Sequence, residues 1–523
     1  MADLTAVLNT YQDWLEPFSD ESTRQHAALD CTALETALAP LNQQLEEQLA
    51  TDEIGTWQRL YFQEQRGRRE RNLLQNNLAC LIDWRSTQWG LKRLAYFIAA
   101  LLLLHRHHSD QQPLLRGYIH RSASADIRNR HFLLLHRGKA WRLAASDNSG
   151  LTANPVQIEN ALYAILHGSH PDEGEIPFTA YSFADEHAFP QIKGRLRARP
   201  ANKILLEQIR EAWFSVAIDD HHQSDLHDAL IGAAFKDTDS FFSYKPLNYR
   251  CNIVDNRYYL HSETTWANPL QLARLLTQTQ EYYDRQAYDC RNGLPPDLAC
   301  TPLAWELDEA LQAEIEEQLD HYDREADSYY STSCDIFLTN DARHTLEQIG
   351  PPPLLALAFQ YAQWRNLKTI RSVNGLEWGD INQRVQLTST AAIRLAEALY
   401  AESEEVKSLW QDYVQEYERR LVGTNPYQYL QGLQELARAK RLDLPFFHSK
   451  HYQTETCLSI SANCTLKNLL LVPEGENAFA LSYQLRRNNI SVLITHKKKR
   501  TPAVQRYCRE FKYALKQLLR LLA

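Results

Sequence analysis

The stretch Asn256-Arg-Tyr-Tyr-Leu-His-Ser-Glu-Thr-Thr-Trp-Ala-Asn268 places His261 between an apolar, strand-like run and a helix-like run that begins near Pro269. Side chains at the end of a strand point into a cleft more often than side chains in the middle of an element. A histidine can accept a proton near neutral pH because its ordinary pKa lies in that range. His261 is therefore a candidate general base, although half-buried histidines without a chemical role are common.

The elements around His261 predict a chain of alternating helices and strands. Residues 248–254 and 258–261 are strand-like and are joined by a turn at Asp255-Asn256. Helical patterns cover most of residues 1–110 and then 204–216, 301–330, 354–364, 390–421 and 504–522; further strand-like runs lie at 131–136, 140–143, 456–461, 478–485 and 490–495. The alternation in both halves predicts an α/β fold of two domains, residues 1–329 and 330–523.

Composition limits the classes of protein to which the chain can belong. Its 523 residues are 44% hydrophobic and 23% charged, which is ordinary for a globular protein with a core. The formal net charge of −9 argues against a nucleic-acid-binding protein. The apolar run 94–104 is too short to cross a bilayer and predicts a buried helix, so no membrane partner is expected.

Cysteine usage and the N-terminus bear on the compartment. The nine cysteines are scattered without a Cys-x-x-Cys pair, so neither a disulfide framework nor a zinc ribbon is indicated. No basic segment followed by an apolar stretch opens the chain. A reducing cytoplasm is the expected location.

Two polar stretches have competing interpretations. Residues 219–228 contain metal-binding residue types, but His222 and His227 are five residues apart and do not share a helix face, which favours a solvated loop and no metal. Lys497, Lys498 and Lys499 lie in a basic segment of an acidic protein. That segment is either a solvated loop or a docking patch for an acidic carrier protein.

Six stretches follow one another in a fixed order along most of the chain. They are residues 57–77, which end in Gln75-Asn76-Asn77; 240–254; Tyr259-Leu-His-Ser262; 351–364; Leu458-Ser-Ile-Ser461; and 473–495 before the last helix. In order and spacing they resemble the choline/carnitine O-acyltransferase family. The resemblance implies two related α/β domains with an active-site tunnel at their interface, entered by a thioester donor from one side and an acceptor from the other.

The resemblance also implies roles for individual residues. His261 falls on the family's catalytic histidine, which removes a proton from the acceptor hydroxyl while its oxygen attacks the thioester, without a covalent enzyme intermediate. Ser461 matches the serine that donates to the developing oxyanion, and Ser459 lies on the same face of its strand. Without the resemblance, both serines would be interpreted as polar residues of an edge strand.

Around His261 the sequence departs from the family pattern. The family places an acidic residue four positions after the histidine, where this chain has Thr265. Glu263 is nearby but only two positions on. We therefore expect Thr265 or a backbone carbonyl to orient the ring, or else a weaker base, because a neighbouring negative charge favours imidazolium.

Departures at the substrate sites point to an unusual donor and acceptor. The family's CoA-binding lysines are missing from residues 340–349, where Arg343 is the cation, so the expected donor is an acyl-phosphopantetheine carrier protein rather than acyl-CoA. No tightly bound cofactor is expected. Of the family's acceptor-binding signature only Glu377 and Arg384 have counterparts. We therefore expect a small-molecule acceptor other than carnitine.

The sequence thus predicts an acyltransferase that moves an acyl group from a thioester to a hydroxyl. Two alternatives stay open. One is a degenerate, non-catalytic module that binds acyl thioesters, which the missing acid and lysines favour and the presence of His261 and Ser461 opposes. The other is a CoA-dependent enzyme with a rebuilt nucleotide site.

Overall fold

A computed structural model describes residues 3–71, 73–111, 130–146, 150–168, 176–285, 297–367, 372–377, 383–453, 456–461 and 466–522. The helices are α1 (Leu4–Leu15), α2 (Glu21–Thr51), α3 (Glu53–Arg71), α4 (Gly90–Gln111), α5 (Pro155–Gly168), α6 (Ala188–Arg197), α7 (Pro200–Glu211), α8 (Leu226–Ile231), α9 (Pro269–Arg285), α10 (Glu309–Ala326), α11 (Asn340–Ile349), α12 (Pro351–Leu367), α13 (Thr390–Tyr400), α14 (Val406–Val422), α15 (Pro426–Ala439) and α16 (Thr501–Leu522).

The strands are β1 (Asn77–Ile82), β2 (His131–His136), β3 (Lys139–Ala144), β4 (Ser215–Asp219), β5 (Asn248–Asn252), β6 (Arg257–Glu263), β7 (Cys300–Leu303), β8 (Tyr329–Ser333), β9 (Ile336–Phe337), β10 (Ser372–Glu377), β11 (Gln383–Gln386), β12 (Thr456–Ser461), β13 (Lys467–Leu471), β14 (Phe479–Leu485) and β15 (Asn489–Lys497).

The chain divides into two compact units, and both are mixed α/β structures. Unit 1 comprises Met1–Arg66, Ser331–Cys464 and Leu471–Ala523, and unit 2 comprises Gly67–Tyr330 and Thr465–Leu470. The change from unit 2 to unit 1 at Tyr330 lies where the sequence places a boundary. The grouping differs from the predicted ranges in two respects, because the N-terminal helices pack with unit 1 and a short segment late in the chain supplies a strand to unit 2.

Unit 2 is built on an eight-stranded sheet in the order β13-β1-β6-β5-β4-β2-β3-β7. β2, β4 and β5 are parallel neighbours, whereas β6 is antiparallel to both β5 and β1. On one face Tyr249 packs edge-on against Phe97 of α4, and Tyr258 packs against the same ring at a tilt. On the other face Leu133 and Ala217 join an apolar cluster with residues of α6, α7 and α10.

Unit 1 is built on a seven-stranded sheet in the order β11-β10-β12-β14-β15-β8, with β9 paired to β15. Its apolar face carries Leu458, Ile460 and Leu481, which belong to one buried cluster with residues of α12 and α16. The helix predicted over 504–522 is α16, and it buries Val504, Tyr507, Phe511, Leu515 and Leu518 at helical spacing.

The N-terminal helices belong to unit 1 through a second apolar cluster. It combines Leu34, Leu38 and Leu41 of α2 with residues of α1 and α15. The hydroxyl of Tyr11 contacts His451 Nδ1 at 3.0 Å, and His451 Nε2 lies 2.9 Å from Asp30. Burial of this extent explains why α1 and α2 follow unit 1, although they precede unit 2 in the sequence.

Most predicted elements are present, and the errors fall where a helical pattern covers a strand or a break. The strand-like runs 131–136 and 140–143 form the β2–β3 hairpin, which turns at Arg137-Gly138, both with positive φ. The helices predicted over 204–216 and 301–330 are present as α7 and α10, but the ends of both predicted ranges are wrong, because β4, β7 and β8 occupy them. The 390–421 helix breaks into α13 and α14 around Glu402, whose φ is +52°.

The apolar run 94–104 lies inside α4, and nine of its residues from Leu94 to Leu104 have no exposed surface. This confirms the predicted buried helix. None of the helices in the described ranges is long and apolar enough to cross a membrane.

Arg420 gives a direct test of the packing in unit 1. Its side chain is 4% exposed, and its guanidinium donates to the carbonyls of Gln386 and Thr388 at 3.0 Å each and pairs with Glu416. We expect Arg420→Met to lower the free energy of unfolding by about 3 kcal/mol, because two carbonyls and a carboxylate lose their donor. The measurement is a shift of the denaturant midpoint.

Arg419→Met is the matched control for this prediction. Arg419 also pairs with Glu416, but its side chain is 66% exposed. Its loss should change the free energy of unfolding by no more than about 0.5 kcal/mol. Equal effects of the two substitutions would contradict the structural role of Arg420.

Candidate active site

His261 lies in the interior of the sheet of unit 2. β6 runs between β1 and β5, and His261 is opposite Ala79 on one side and Asn248 on the other. The side chain is 2% exposed. Because successive side chains of a strand alternate between faces, Tyr259 and Glu263 share the face of His261.

The turn between β5 and β6 sets this register. Asn252 Oδ1 accepts from the backbone amides of Val254 and Asp255 at 3.0 and 2.6 Å, and Asn256 adopts a φ of +54°. Asparagine tolerates this left-handed conformation better than most residues. The hairpin therefore pairs Asn252 with Arg257, and four residues further from the turn it pairs Asn248 with His261.

Asn248 is the hydrogen-bond partner of the His261 ring. Its Nδ2 lies 3.2 Å from His261 Nδ1 and also donates to the carbonyls of Phe242 and Lys245 at 3.2 and 2.9 Å. Its Oδ1 accepts from Ser215 Oγ at 2.6 Å and from the Phe242 amide at 3.1 Å. The backbone groups of Phe242 and Lys245 thus fix which end of the Asn248 amide faces His261.

The segment before β5 encloses the other side of the ring. The Phe241 ring lies 4.1 Å from the His261 ring, centroid to centroid, at an interplanar angle of 35°. Ser262 Oγ donates to the Pro246 carbonyl at 2.7 Å. Lys245 Nζ donates to the carbonyls of Ile209 and Ala212 at 2.9 and 2.6 Å, and burial lowers its pKa to about 7.

The electrostatics of His261 are dominated by burial. Loss of hydration lowers the pKa of the ring from 6.5 to about 3, because the charged form loses more than the neutral form. The ring is therefore neutral near pH 7. Nε2 has no hydrogen-bond partner among the described residues. A nitrogen that is buried and free in this way is available to a substrate atom.

Neither of the residues predicted to orient His261 does so in the structure. Thr265 is 7% exposed, and its Oγ1 has no hydrogen-bond partner in the described part of the chain. Glu263 is fully buried on the same face of β6, but the hydrogen bond to the ring comes from Asn248. The ring is therefore oriented neither by Thr265 nor by a backbone carbonyl, because the hairpin register brings a side chain of β5 there instead. The third alternative, a weaker base, stays a prediction.

Ser459 and Ser461 lie on β12 in the sheet of unit 1. The strand runs parallel to both neighbours, with Asn374 of β10 opposite Ser459 and Ser482 of β14 opposite Ser461. Both serines are buried, at 2% and 0% exposure. Ser459 Oγ has no hydrogen-bond partner within the described ranges. The two hydroxyls share a polar, buried face of the sheet, which the interpretation as an exposed edge strand does not predict.

Of the two residues predicted to bind the acceptor, the structure describes the side chain of Arg384 but not that of Glu377. Arg384 lies on β11 opposite Leu376 and forms an ion pair with Glu474, with 2.6 Å between Nη2 and Oε1. The backbone of Glu377 ends β10, but its side chain lies outside the described residues. The structure thus gives Arg384 a carboxylate partner of its own.

The residues predicted to bind the donor are mostly engaged with neighbours. Arg343 lies on α11 and pairs with Glu347 at 2.8 Å. Lys499 pairs with Glu476. Lys497 is only 9% exposed, whereas Lys498 is exposed in the turn that follows β15. Including Lys497 in a surface docking patch was therefore wrong, because the end of a central strand buries it.

The segment 219–228 forms part of the wall of a polar cavity. His222 pairs with Asp255, and Asp225 caps the first turn of α8. The cavity has a volume of about 180 Å³, and Arg250 pairs there with Asp219 and Asp237. In the described ranges, no group of three or more histidine, cysteine or acidic side chains could hold a metal ion.

Comparison with known proteins matches the sequence of this chain to one family. The sequence model of choline/carnitine O-acyltransferases matches residues 105–374, just over half of the chain. The matched segment contains His261, Asn248 and Arg343 and ends before Ser461. A search of curated proteins found no match.

Several solved structures are similar at low identity. The wax ester synthase/diacylglycerol acyltransferase from Marinobacter aquaeolei VT8 is 11% identical, with a TM-score of 0.32 over 58% of this chain and 78% of that one. The X-domain from teicoplanin biosynthesis is 10% identical, with a TM-score of 0.35 over 89% and 94%. The epimerization domain from the third module of tyrocidine synthetase B is 10% identical, with a TM-score of 0.36 over 59% and 79%.

Asn248 is the site residue that the sequence analysis did not single out. The sequence does contain the information, because a hairpin with its turn at Asp255-Asn256 pairs Asn248 with His261. An asparagine inside a buried strand is also unusual, since its amide needs partners there. Phe241 and Ser215 carry no comparable signal, because only the folded segment brings them to Asn248 and His261.

The buried state of His261 predicts a pH dependence of stability. Between about pH 3 and 6.5 the unfolded chain binds a proton at this ring and the folded chain does not, so stability falls as the pH is lowered through that window. Comparing pH 7 with pH 5, wild type should lose about 2 kcal/mol more than His261→Gln. Denaturant unfolding at both pH values measures this, and identical losses would contradict the burial of a neutral ring.

Proposed function

Because the chain belongs to the choline/carnitine O-acyltransferase family, we propose that it transfers an acyl group from a thioester to a hydroxyl acceptor with His261 as the general base. The observation that carries the proposal is the His261 ring itself. It is buried, it is neutral near pH 7, and its Nε2 has no partner among the described residues. In the tautomer that carries its proton on Nδ1, such a nitrogen can take a proton from an acceptor without first breaking a protein hydrogen bond.

In the proposed step the acceptor oxygen attacks the thioester carbonyl carbon while its proton passes to His261 Nε2. The carbon–oxygen bond forms, and the carbonyl oxygen carries negative charge in the tetrahedral intermediate. The carbon–sulfur bond then breaks, and the proton on His261 goes to the leaving thiolate. The products are an ester and a free thiol, and the ring returns to its neutral state.

The charge on the carbonyl oxygen needs a hydrogen-bond donor. We propose Ser461 for this role, with Ser459 on the same strand face as its neighbour. The burial of both hydroxyls supports the assignment, because a donor in a site without water stabilises charge more than one in bulk solvent. In comparable enzymes one such donor lowers the activation barrier by about 3–4 kcal/mol.

The proposed acceptor is a small hydroxyl compound other than carnitine. Carnitine carries a carboxylate that has to be bound by a cation. Arg384 is a cation of the type that could bind it, but Arg384 already pairs with the carboxylate of Glu474 at 2.6 Å. A ligand carboxylate would have to compete with Glu474, which disfavours carnitine.

The proposed donor is an acyl group on the phosphopantetheine arm of a carrier protein, with acyl-CoA as the alternative. The pairing of Arg343 with Glu347 supports this choice, since it reduces the positive charge available for a nucleotide phosphate. No tightly bound cofactor is part of the proposal. A reducing cytoplasm is the proposed location, and the buried thiol of Cys251, which forms no disulfide, suits it.

A non-catalytic, acyl-thioester-binding protein is the second candidate. The low pKa of His261 favours it, because a ring that holds a proton weakly is a weak base. The hydrogen-bond partner of the ring is an amide and not a carboxylate, which points the same way. The two functions differ in whether a thiol is released.

The proposal is tested by thiol release from one acyl group presented on CoA and on a carrier protein, against a panel of alcohols. We expect release that depends on the acceptor. In His261→Gln it should fall by about 100- to 10,000-fold, the usual contribution of a general base. His187→Gln is the control, since His187 is an exposed histidine of the same unit.

The outcomes separate the two candidates. Acceptor-dependent release that persists in His261→Gln would contradict the role of His261. Absence of release with every donor and acceptor, together with binding of the acyl thioester, would favour the binding protein.

Charge reversal at Lys498 and Lys499 tests the choice of donor. These side chains are exposed, and an acidic carrier protein would be attracted to them at low salt. The double change to Glu should raise KM for the carrier-bound donor several-fold and leave KM for acyl-CoA unchanged. Lys407→Glu, an exposed site on α14 of the same unit, is the control. An equal change for both donors would remove the docking role.

A further inference from the structure

The hydrogen bonds of Asn248 determine which nitrogen of His261 can carry the proton. The Oδ1 end of the amide is occupied by the Ser215 hydroxyl and the Phe242 amide, both of which donate to it. The Nδ2 end faces the carbonyls of Phe242 and Lys245, so its position is fixed by acceptors. Exchanging the two ends would place donors against donors and acceptors against acceptors.

His261 Nδ1 therefore faces a donor. It lies 3.2 Å from Asn248 Nδ2, and the ring has no other hydrogen-bond partner among the described residues. Asn248 Nδ2 has two N–H groups for three acceptors, so an unprotonated Nδ1 shares one of them with a carbonyl, whereas a proton on Nδ1 would meet no acceptor there. A neutral imidazole carries its proton on one nitrogen or the other.

We propose that Asn248 is a positioning residue that holds the resting His261 ring with its proton on Nε2. The tautomer that can accept a proton at Nε2, with the proton on Nδ1, is then the minor form. Asn248 thus restrains the basicity of His261 through the same contact that orients the ring. The kinetic part of this inference rests on the proposed function, whereas the position of the proton does not.

The charged groups around the ring do not replace this control. Lys245, in the segment before β5, directs its Nζ to the carbonyls of Ile209 and Ala212. Arg250, two residues along β5, pairs with Asp219 and Asp237. Glu263 shares the face of His261 on β6, but burial is the cause that lowers the pKa of the ring. The Asn248 amide remains the polar group in contact with Nδ1.

The position of the proton can be measured directly in the whole chain. Nitrogen-15 NMR of protein labelled at histidine distinguishes a protonated from an unprotonated ring nitrogen, and the spectrum of His261→Gln identifies the signals that belong to His261. We expect an unprotonated Nδ1 and a protonated Nε2 in wild type at pH 7. A protonated Nδ1 in the neutral ring would overturn the proposal.

Asn248→Asp tests the consequence for reactivity. The carboxylate oxygen that replaces Nδ2 faces the carbonyls of Phe242 and Lys245 as well as His261 Nδ1, so a proton on Nδ1 is the donor it can meet there, and its negative charge favours the imidazolium form. The proton should move from Nε2 to Nδ1, the acid limb of kcat/KM should shift to higher pH, and kcat/KM near pH 7 should rise about tenfold. A fall in kcat/KM with an unchanged pH profile would contradict the restraint by Asn248.

Ser215→Ala is the matched control. It removes the 2.6 Å hydrogen bond to Asn248 Oδ1 but leaves the Phe242 amide and both carbonyls to hold the side chain. The tautomer of His261 should therefore stay that of wild type, and a change of tautomer would contradict the proposal. If Asn248→Asp does not fold, the wild-type spectrum decides alone.

The two proposals fail in different ways. The predicted tautomer without thiol release from any donor would support the role of Asn248 and contradict the transferase. Thiol release that depends on His261, together with a protonated Nδ1 in the resting protein, would do the reverse.

Discussion

The side-chain amide of Asn248 is the contact on which the surroundings of His261 depend. It is 1% exposed, and it joins β4, β5, β6 and the segment that contains Phe242 and Lys245. A buried amide is costly unless its donors and acceptors are satisfied, so these contacts are strongly coupled to the fold. The same amide that anchors the segment also faces the ring. Stability of unit 2 and reactivity of its histidine are therefore linked through one side chain.

Burial has two opposite effects on the proposed chemistry. It lowers the pKa of His261 to about 3, which weakens the ring as a base. It also removes water from around the free Nε2 and from the hydroxyls of Ser459 and Ser461, and hydrogen bonds to developing charge are stronger there. Thr265 of this chain stands where the family pattern has an acidic residue, four positions after the histidine, so a carboxylate is missing from that position. If the lowered pKa of His261 dominates, the protein binds acyl thioesters without turnover. If the exclusion of water dominates, it is a slow transferase.

The sequence predicted the class of fold and the strand that bears His261, because β-hairpin and amphipathic helix patterns are local. It predicted the polarity of β12 but not its burial, which depends on the rest of the chain. It failed for β4, β7 and β8, where short strands continue a helical pattern. The contacts of Asn248 with Ser215 and Phe242, and the burial of Lys497, are tertiary features with no local pattern. Departures from the family pattern indicated that the orientation of His261 differs, but not which residue provides it.

The proposed role of His261 is to accept the proton that leaves the acceptor. It is tested most directly by a single turnover with a labelled acyl thioester and an active acceptor, followed by separation of protein, ester and thiol. We expect ester and free thiol in equal amounts, no acyl group on the protein, and formation of both products slowed by about 100-fold or more in His261→Gln. Undiminished ester formation by His261→Gln, or an acyl group attached to the protein, would contradict it.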